Sequence, residues 1–230
     1  MASFFFSYLH RRAVENTAKV EAMKDLRRLV YVPILHAQKD AGHTAAMLTK
    51  NGKPASKRGK ATTESSAVDD MWKGIAAKIG ELNLPWNRTR IYQDGTPVCG
   101  NESALAERLA ESGNPNYSLI LDLIKRGAIL EGTEDLDLLM QEYDLLNKLL
   151  TKHANRQALQ AEYQEKSRAL LAVRDQFIFN RITSTLQEGE TPIVFMGVMH
   201  RLDKMLEKDF LVSYVIYRLP FRSIGTIYNA

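Results

Sequence analysis

Two histidines stand where short apolar runs end. His200 follows Ile193, Val194, Phe195, Met196 and Gly197, and His36 follows Val30, Tyr31, Val32, Pro33, Ile34 and Leu35. An imidazole at such an exit can ligate a metal or move a proton. Between the two in the chain, Ala128-Ile129-Leu130 delivers Glu131, and Glu134 and Asp135 follow at once. Arg174 and Asp175 form a charged pair beside the apolar Leu171, Phe177 and Ile178. Two imidazoles with one or two carboxylates are a donor set for divalent manganese, cobalt or zinc. Such an ion lowers the pKa of a bound water and polarises a carbonyl or phosphoryl group. A carboxylate left over can act as general base, and Arg174 suits an anionic substrate group or a developing oxyanion. The candidate metal ligands are therefore His36, Glu131 and His200, and the candidate catalytic residues are Glu131, Arg174 and His200.

Each of these groups also has a purely structural reading. A single histidine can cap a helix, Glu134 and Asp135 can sit at the positive end of a helix dipole, and Arg174 and Asp175 can neutralise each other at a packing interface. No short-spaced H-E-x-x-H metal motif occurs. What singles the set out is a shared placement at strand exits, and that placement rests on the elements between them.

Residues 1–27 have loose helical spacing of Leu9, Val14, Val20, Met23 and Leu26. A first strand is expected over 29–35, with Pro33 marking an edge strand or an irregular strand end. Residues 50–65 lose all apolar period and interleave Lys50, Lys53, Lys57, Arg58 and Lys60 with small residues, which reads as a flexible basic loop. Ser66 is placed to cap a helix to about Leu82. A strand over 88–92 runs into Gln93-Asp94-Gly95-Thr96-Pro97, which is turn chemistry and can line the same sheet edge. Helices over 101–112 and 117–125 follow, the second closed by Gly127. After the short strand 128–130, Thr133 is a candidate cap for a helix reaching His153. A long helical region covers 154–187 and aligns Arg174, Ile178, Arg181 and Thr185 along one stripe. A strand at 193–196, a short helix and a strand over 210–217 complete the order. The alternation predicts one α/β domain over residues 1–230, with a mainly parallel sheet flanked by helices and one long helix before the penultimate strand. Parallel crossovers bring strand exits to one edge of the sheet, where ligands bind.

Composition narrows the function class. The chain has 230 residues, 45% hydrophobic and 25% charged, ordinary values for a globular protein with a real core. One cysteine, Cys99, excludes an internal disulfide and a cysteine metal cluster, and fits a reducing compartment. Cys99 as a nucleophile paired with His200 is a weaker alternative, since most such cysteines are inert. No apolar run approaches a membrane span, and Phe4, Phe5 and Phe6 precede a polar stretch, unlike a secretory signal. The expected location is cytoplasmic. A net charge of +4 allows an anionic ligand but is not the signature of a dedicated nucleic-acid protein. No glycine-rich phosphate loop or dinucleotide fingerprint is present.

Gly197-Val198-Met199-His200 has the form G-x-x-H, and Pro33-Ile34-Leu35-His36 repeats it with Pro in place of Gly. With glutamates in mid-chain and an Arg-Asp pair in a long helix, this order resembles the TraB/PrgY/TIKI group of metal-dependent hydrolases, and more distantly the erythromycin-esterase and ChaN-like proteins. The resemblance implies a two-histidine metal hydrolase with His36, Glu131 and His200 in the site and Arg174 as the helix arginine. Its substrate would be a small molecule or peptide carrying an ester, peptide or phosphoryl bond. The alternative from another class is a non-catalytic binding or regulatory protein that meets an anionic partner through the basic loop and the sheet edge. A homo-oligomer is compatible with either.

Overall fold

The computed structural model describes residues 27–34, 63–151 and 156–217. His36, most of the basic loop and the N-terminal segment expected to be helical lie outside them. Five strands form one sheet: β1 (Arg27–Ile34), β2 (Thr89–Gln93), β3 (Ile129–Glu131), β4 (Thr191–Gly197) and β5 (Phe210–Tyr214). The helices are α1 (Thr63–Gly80), α2 (Glu102–Glu111), α3 (Pro115–Lys125), α4 (Leu136–Thr151), α5 (Arg156–Thr185) and the short α6 (Leu202–Leu206). The sheet order is β3-β2-β4-β1-β5, and every pairing is parallel. The expected α/β architecture with a long helix before the penultimate strand is what the chain adopts.

A right-handed crossover that changes direction across a sheet must also change face. From β1 to β2 to β3 the chain steps one way, and α1, α2 and α3 cover one face through Trp72, Ile75, Leu105, Leu109 and Ile120 against Val32, Ile91 and Phe195. From β3 to β4 to β5 it steps back, and α5 and α6 cover the other face through Ile178, Ile182 and Leu206 against Tyr31, Tyr92 and Met196. Strand β4 thus lies between β1 and β2, and the chain leaves β2 and β4 toward opposite faces. Their carboxyl ends open into a crevice at this reversal.

Several expectations shift. Arg27 is the first residue of β1, not the end of a helix. Pro33 does not mark an edge strand, because β1 lies between β4 and β5. Its ring nitrogen lies on the same side as the Tyr31 carbonyl, which accepts from Val215 at 2.9 Å. Pairing with β5 ends at Tyr31↔Tyr214, so Pro33 removes no ladder bond. Helix α1 begins at Thr63, ahead of Ser66, and takes in the last residues assigned to the basic loop. Thr133 caps no helix: its hydroxyl accepts from the Gln93 amide at 3.0 Å, and α4 is capped by Asp135, which accepts from Leu138 N at 3.0 Å. None of the helices among the described residues is long and apolar enough to cross a membrane.

The core behind α5 makes a stability test. Ile182 is fully buried between α5 and the sheet, so Ile182→Ala should lower unfolding free energy by about 2–5 kcal/mol through lost burial and a residual cavity. Urea unfolding checks it, and a loss well below that range would mean that α5 is not seated on the sheet.

Candidate functional site

The loops after β2 and β3 continue as a pair. Thr133 N and Glu134 N both donate to Thr96 O, at 2.8 and 3.0 Å, and Val98 N donates to Glu134 O at 2.9 Å. Gly132 makes the close approach possible: a Cβ there would lie 2.6 Å from Val98 Cα. Gly95, at φ 76°, turns the chain directly after Asp94 in a conformation that favours glycine. Asp94 is itself tied to the β4 edge, since its amide donates to Phe195 O at 2.9 Å and its Oδ2 accepts from Gly197 N at 2.9 Å.

Helix α5 then lays two neighbouring charged residues over this edge. Arg174 donates through Nε to Glu134 Oε2 at 3.0 Å and through Nη2 to Glu134 Oε1 at 2.6 Å. Nη2 also reaches Asp94 Oδ1 at 3.0 Å, and Nη1 reaches Glu142 Oε2 on α4 at 2.6 Å. The adjacent Asp175 bonds His200 Nδ1 at 2.5 Å and accepts from Arg201 N at 3.0 Å. The other imidazole nitrogen, Nε2, lies 3.4 Å from Asp94 Oδ2. Asp94, Glu134, Arg174, Asp175 and His200 are all buried.

Asp94, Glu134 and His200 each offer a ligand atom, all within 4.8 Å of one another. Two carboxylates and an imidazole suit zinc, manganese or cobalt. The Asp175–His200 bond is the orienting contact that metal-bound histidines need, because it fixes which ring nitrogen faces the ion.

The electrostatics follow from burial. Burial alone would lower the His200 pKa, but the Asp94 charge and the bonds to Asp175 and Asp94 outweigh it and raise the value to about 10. These contacts favour the imidazolium form of the ring, with Nδ1 donating to Asp175 and Nε2 in ion-pair range of Asp94. Burial raises the Glu134 carboxyl above its ordinary range, against the opposing pull of Arg174. Burial likewise disfavours charge on Arg174, yet Glu134, Asp94 and Glu142 hold it above its usual value.

The structure therefore brings together His200 and Arg174 from the expected set, but not Glu131. That carboxylate is held at the side by Arg90 and by Arg181, the latter at 3.3 Å. Arg90 also binds Glu190 at 2.7 Å. The glutamate beside His200 is Glu134, because β3 ends at Glu131 and the chain needs three more residues to turn inward over the edge. Arg174 and Asp175 do not pair with each other; each turns to a different partner. With Nε, Nη1 and Nη2 all bonded to carboxylates, Arg174 holds the protein's own anions rather than a substrate's. Asp94 was visible only as part of a turn, and Glu142 gave no signal, being one acid among many on a helix. Cys99 is exposed and its amide donates to Glu102 at 2.9 Å. Against protein-family models, curated proteins and solved structures, the chain matches none.

Two outcomes test this geometry. Arg174→Ala leaves buried carboxylates unpaired and should cost about 3–5 kcal/mol; Arg174→Lys should recover only part, having no planar fork. Urea unfolding at neutral pH reads both, and a neutral Arg174→Ala would contradict the buried network. The second outcome concerns pH. Because the folded pKa of His200 is raised to about 10 from 6.5, its contribution is complete below pH 6.5 and is lost as pH rises through 10. In chelator, stability should fall across that window by up to about 1.4 kcal/mol per pH unit. His200→Gln should remove that slope.

Proposed function

We propose that Asp94, Glu134 and His200 form a divalent-metal site and that the protein is a metal-dependent hydrolase acting on an ester, peptide or phosphoryl bond. The observation that supports it is a charge imbalance. Three buried carboxylates, Asp94, Glu134 and Asp175, face one guanidinium and one imidazole. Uncompensated buried charge is costly. A divalent ion that replaces the imidazolium proton brings this buried set to neutrality, with Arg174 and the ion balancing the three carboxylates.

An ion held by Asp94, Glu134 and His200 would supply Lewis acidity and lower the pKa of a bound water. The chain's own groups do the rest. Asp175 holds His200 by Nδ1 and leaves Nε2 for the ion. Arg174 fixes Asp94 and Glu134 in place, and it also moderates how strongly Glu134 donates. Glu142, a third exposed and at the far end of Arg174, is the carboxylate nearest solvent in the network. Val198 and Met199 stand exposed in the turn before His200, giving an apolar substrate group, small molecule or peptide, a surface to lie against. The site class is that of the TraB/PrgY/TIKI resemblance, with Asp94 and Glu134 in place of Glu131. His36, the other expected ligand, lies outside the described residues. A cytoplasmic location goes with this reading.

The second reading, a binding or regulatory protein without chemistry, is favoured by one observation: Arg174 already holds Glu134 through two bonds, as a purely structural ion network would. Calorimetry with zinc and manganese separates the two. Uptake of one ion should release a proton from His200, visible as a dependence of the heat on buffer ionisation. Asp94→Asn and His200→Ala should abolish uptake and hydrolysis together while the fold persists, and Glu131→Gln should retain both. Absence of ion uptake in the native protein would leave the structural network standing.

A further inference from the structure

Helix α4 carries an acid on an apolar stripe. The residues four and three positions before Glu142 are Leu138 and Leu139, and those three and four positions after it are Leu145 and Leu146. Helical periodicity therefore puts Glu142 on the same side of α4 as the buried Leu139. A carboxylate there is costly unless it is paired, and it is paired: Oε2 accepts from Arg174 Nη1 at 2.6 Å. Arg174 does not need it for neutrality, because Glu134 already holds that guanidinium through two bonds.

Charge and placement separate Glu142 from the other acids at this edge. With an ion at Asp94, Glu134 and His200, Arg174 and the ion balance Asp94, Glu134 and Asp175. Glu142 is then one negative charge beyond that balance. Asp175 is held by His200 and by Arg201 N. Glu131 is held by Arg90 and Arg181, and Asp135 by Leu138 N. Oε1 of Glu142 makes no hydrogen bond among the described residues. Its side chain is 33% exposed, where those of Asp94 and Glu134 are 5% and 0%. Distance is right as well. Arg174 bonds all three acids through the two ends of one planar fork, so the Glu142 carboxylate lies within roughly 8 Å of Glu134 Oε1 and Asp94 Oδ1. One ion and one hydrogen-bonded water in line reach about 7 Å.

We propose that Glu142 is the general base of the hydrolysis, an inference that rests on the metal-hydrolase reading. A water in the site gives one proton to Glu142 Oε1 as its oxygen bonds to the carbonyl carbon or phosphorus of the substrate. The bond from that atom to the leaving group breaks, and the leaving oxygen or nitrogen takes the proton from Glu142. The carboxylate is regenerated, and one water has been added across the bond. Arg174 Nη1 holds Oε2, so the carboxylate has one fixed oxygen and one left for the proton.

Three chromogenic probes, p-nitrophenyl acetate, alanine p-nitroanilide and p-nitrophenyl phosphate, offer the three bond types to the full chain loaded with zinc or manganese. Glu142→Gln keeps an oxygen for Arg174 Nη1 to bond. It should take up one ion with the native heat in calorimetry and keep the native KM, while kcat falls by about 10²–10⁴-fold. The acid limb of the native kcat–pH profile, where the base is lost to protonation, should vanish in this variant. Sodium formate should restore part of kcat to Glu142→Ala, whose vacated space admits a small carboxylate, and should leave the native chain unchanged. Glu142→Gln carries the test should Glu142→Ala fail to fold. Native kcat in Glu142→Gln overturns the proposal and leaves the metal reading standing. Loss of ion uptake in Glu142→Gln also overturns it, since Glu142 then acts only by positioning Arg174. A native chain that takes up no ion, or takes one up and cleaves none of the probes, removes the metal-hydrolase reading and the general base with it.

Discussion

A guanidinium buried in a protein must be surrounded by carboxylates or it is not tolerated. Arg174 meets this demand by drawing one acid from each of three elements: Asp94 after β2, Glu134 after β3 and Glu142 from α4. Those bonds set the height and rotation of α5 on the sheet. Once they are set, the next residue, Asp175, has its direction fixed by the helix, about 100° further round the axis. It therefore points at the exit of β4, where His200 waits. The site is a consequence of satisfying one buried cation.

The same helix is fastened at two further levels. Arg181 bonds Glu131 and the Gly132 carbonyl, and Thr185 bonds the Tyr92 hydroxyl. With Ile178 and Ile182 fully buried between these polar contacts, the inner part of α5 is held along its length. The point where α4 meets α5, at Glu142 and Arg174, is also the outer limit of the site.

The topology explains why acids and an imidazole meet at all. Parallel strands all end on one edge, and the reversal around β4 separates the following helices onto two faces. The paired loops after β2 and β3, closed up by Gly132, then fold Asp94 and Glu134 inward over the crevice rather than out into solvent. The Gly197–His200 turn completes it from β4.

Much of the fold was legible in the chain. Runs such as Ile193–Met196 and Val30–Ile34 are continuous and β-branched because a parallel strand covered on both faces has no polar side, and the long intervening helices force parallel crossovers. His200 at a strand exit, and an inward Arg174 on an apolar stripe, follow from the same local periodicity. What the chain did not reveal is which acids answer them. Glu131 and Glu134 are equally plausible three residues apart, and only the loop pairing with Thr96 turns the second toward Arg174 and leaves the first to Arg90 and Arg181. Asp94 looked like turn chemistry because its task depends on the amide of Gly197, 103 residues away in the chain. Periodicity is a property of neighbours and can be read along the sequence; the partner of a long charged side chain is chosen by distance in space, and only the packed tertiary structure sets that.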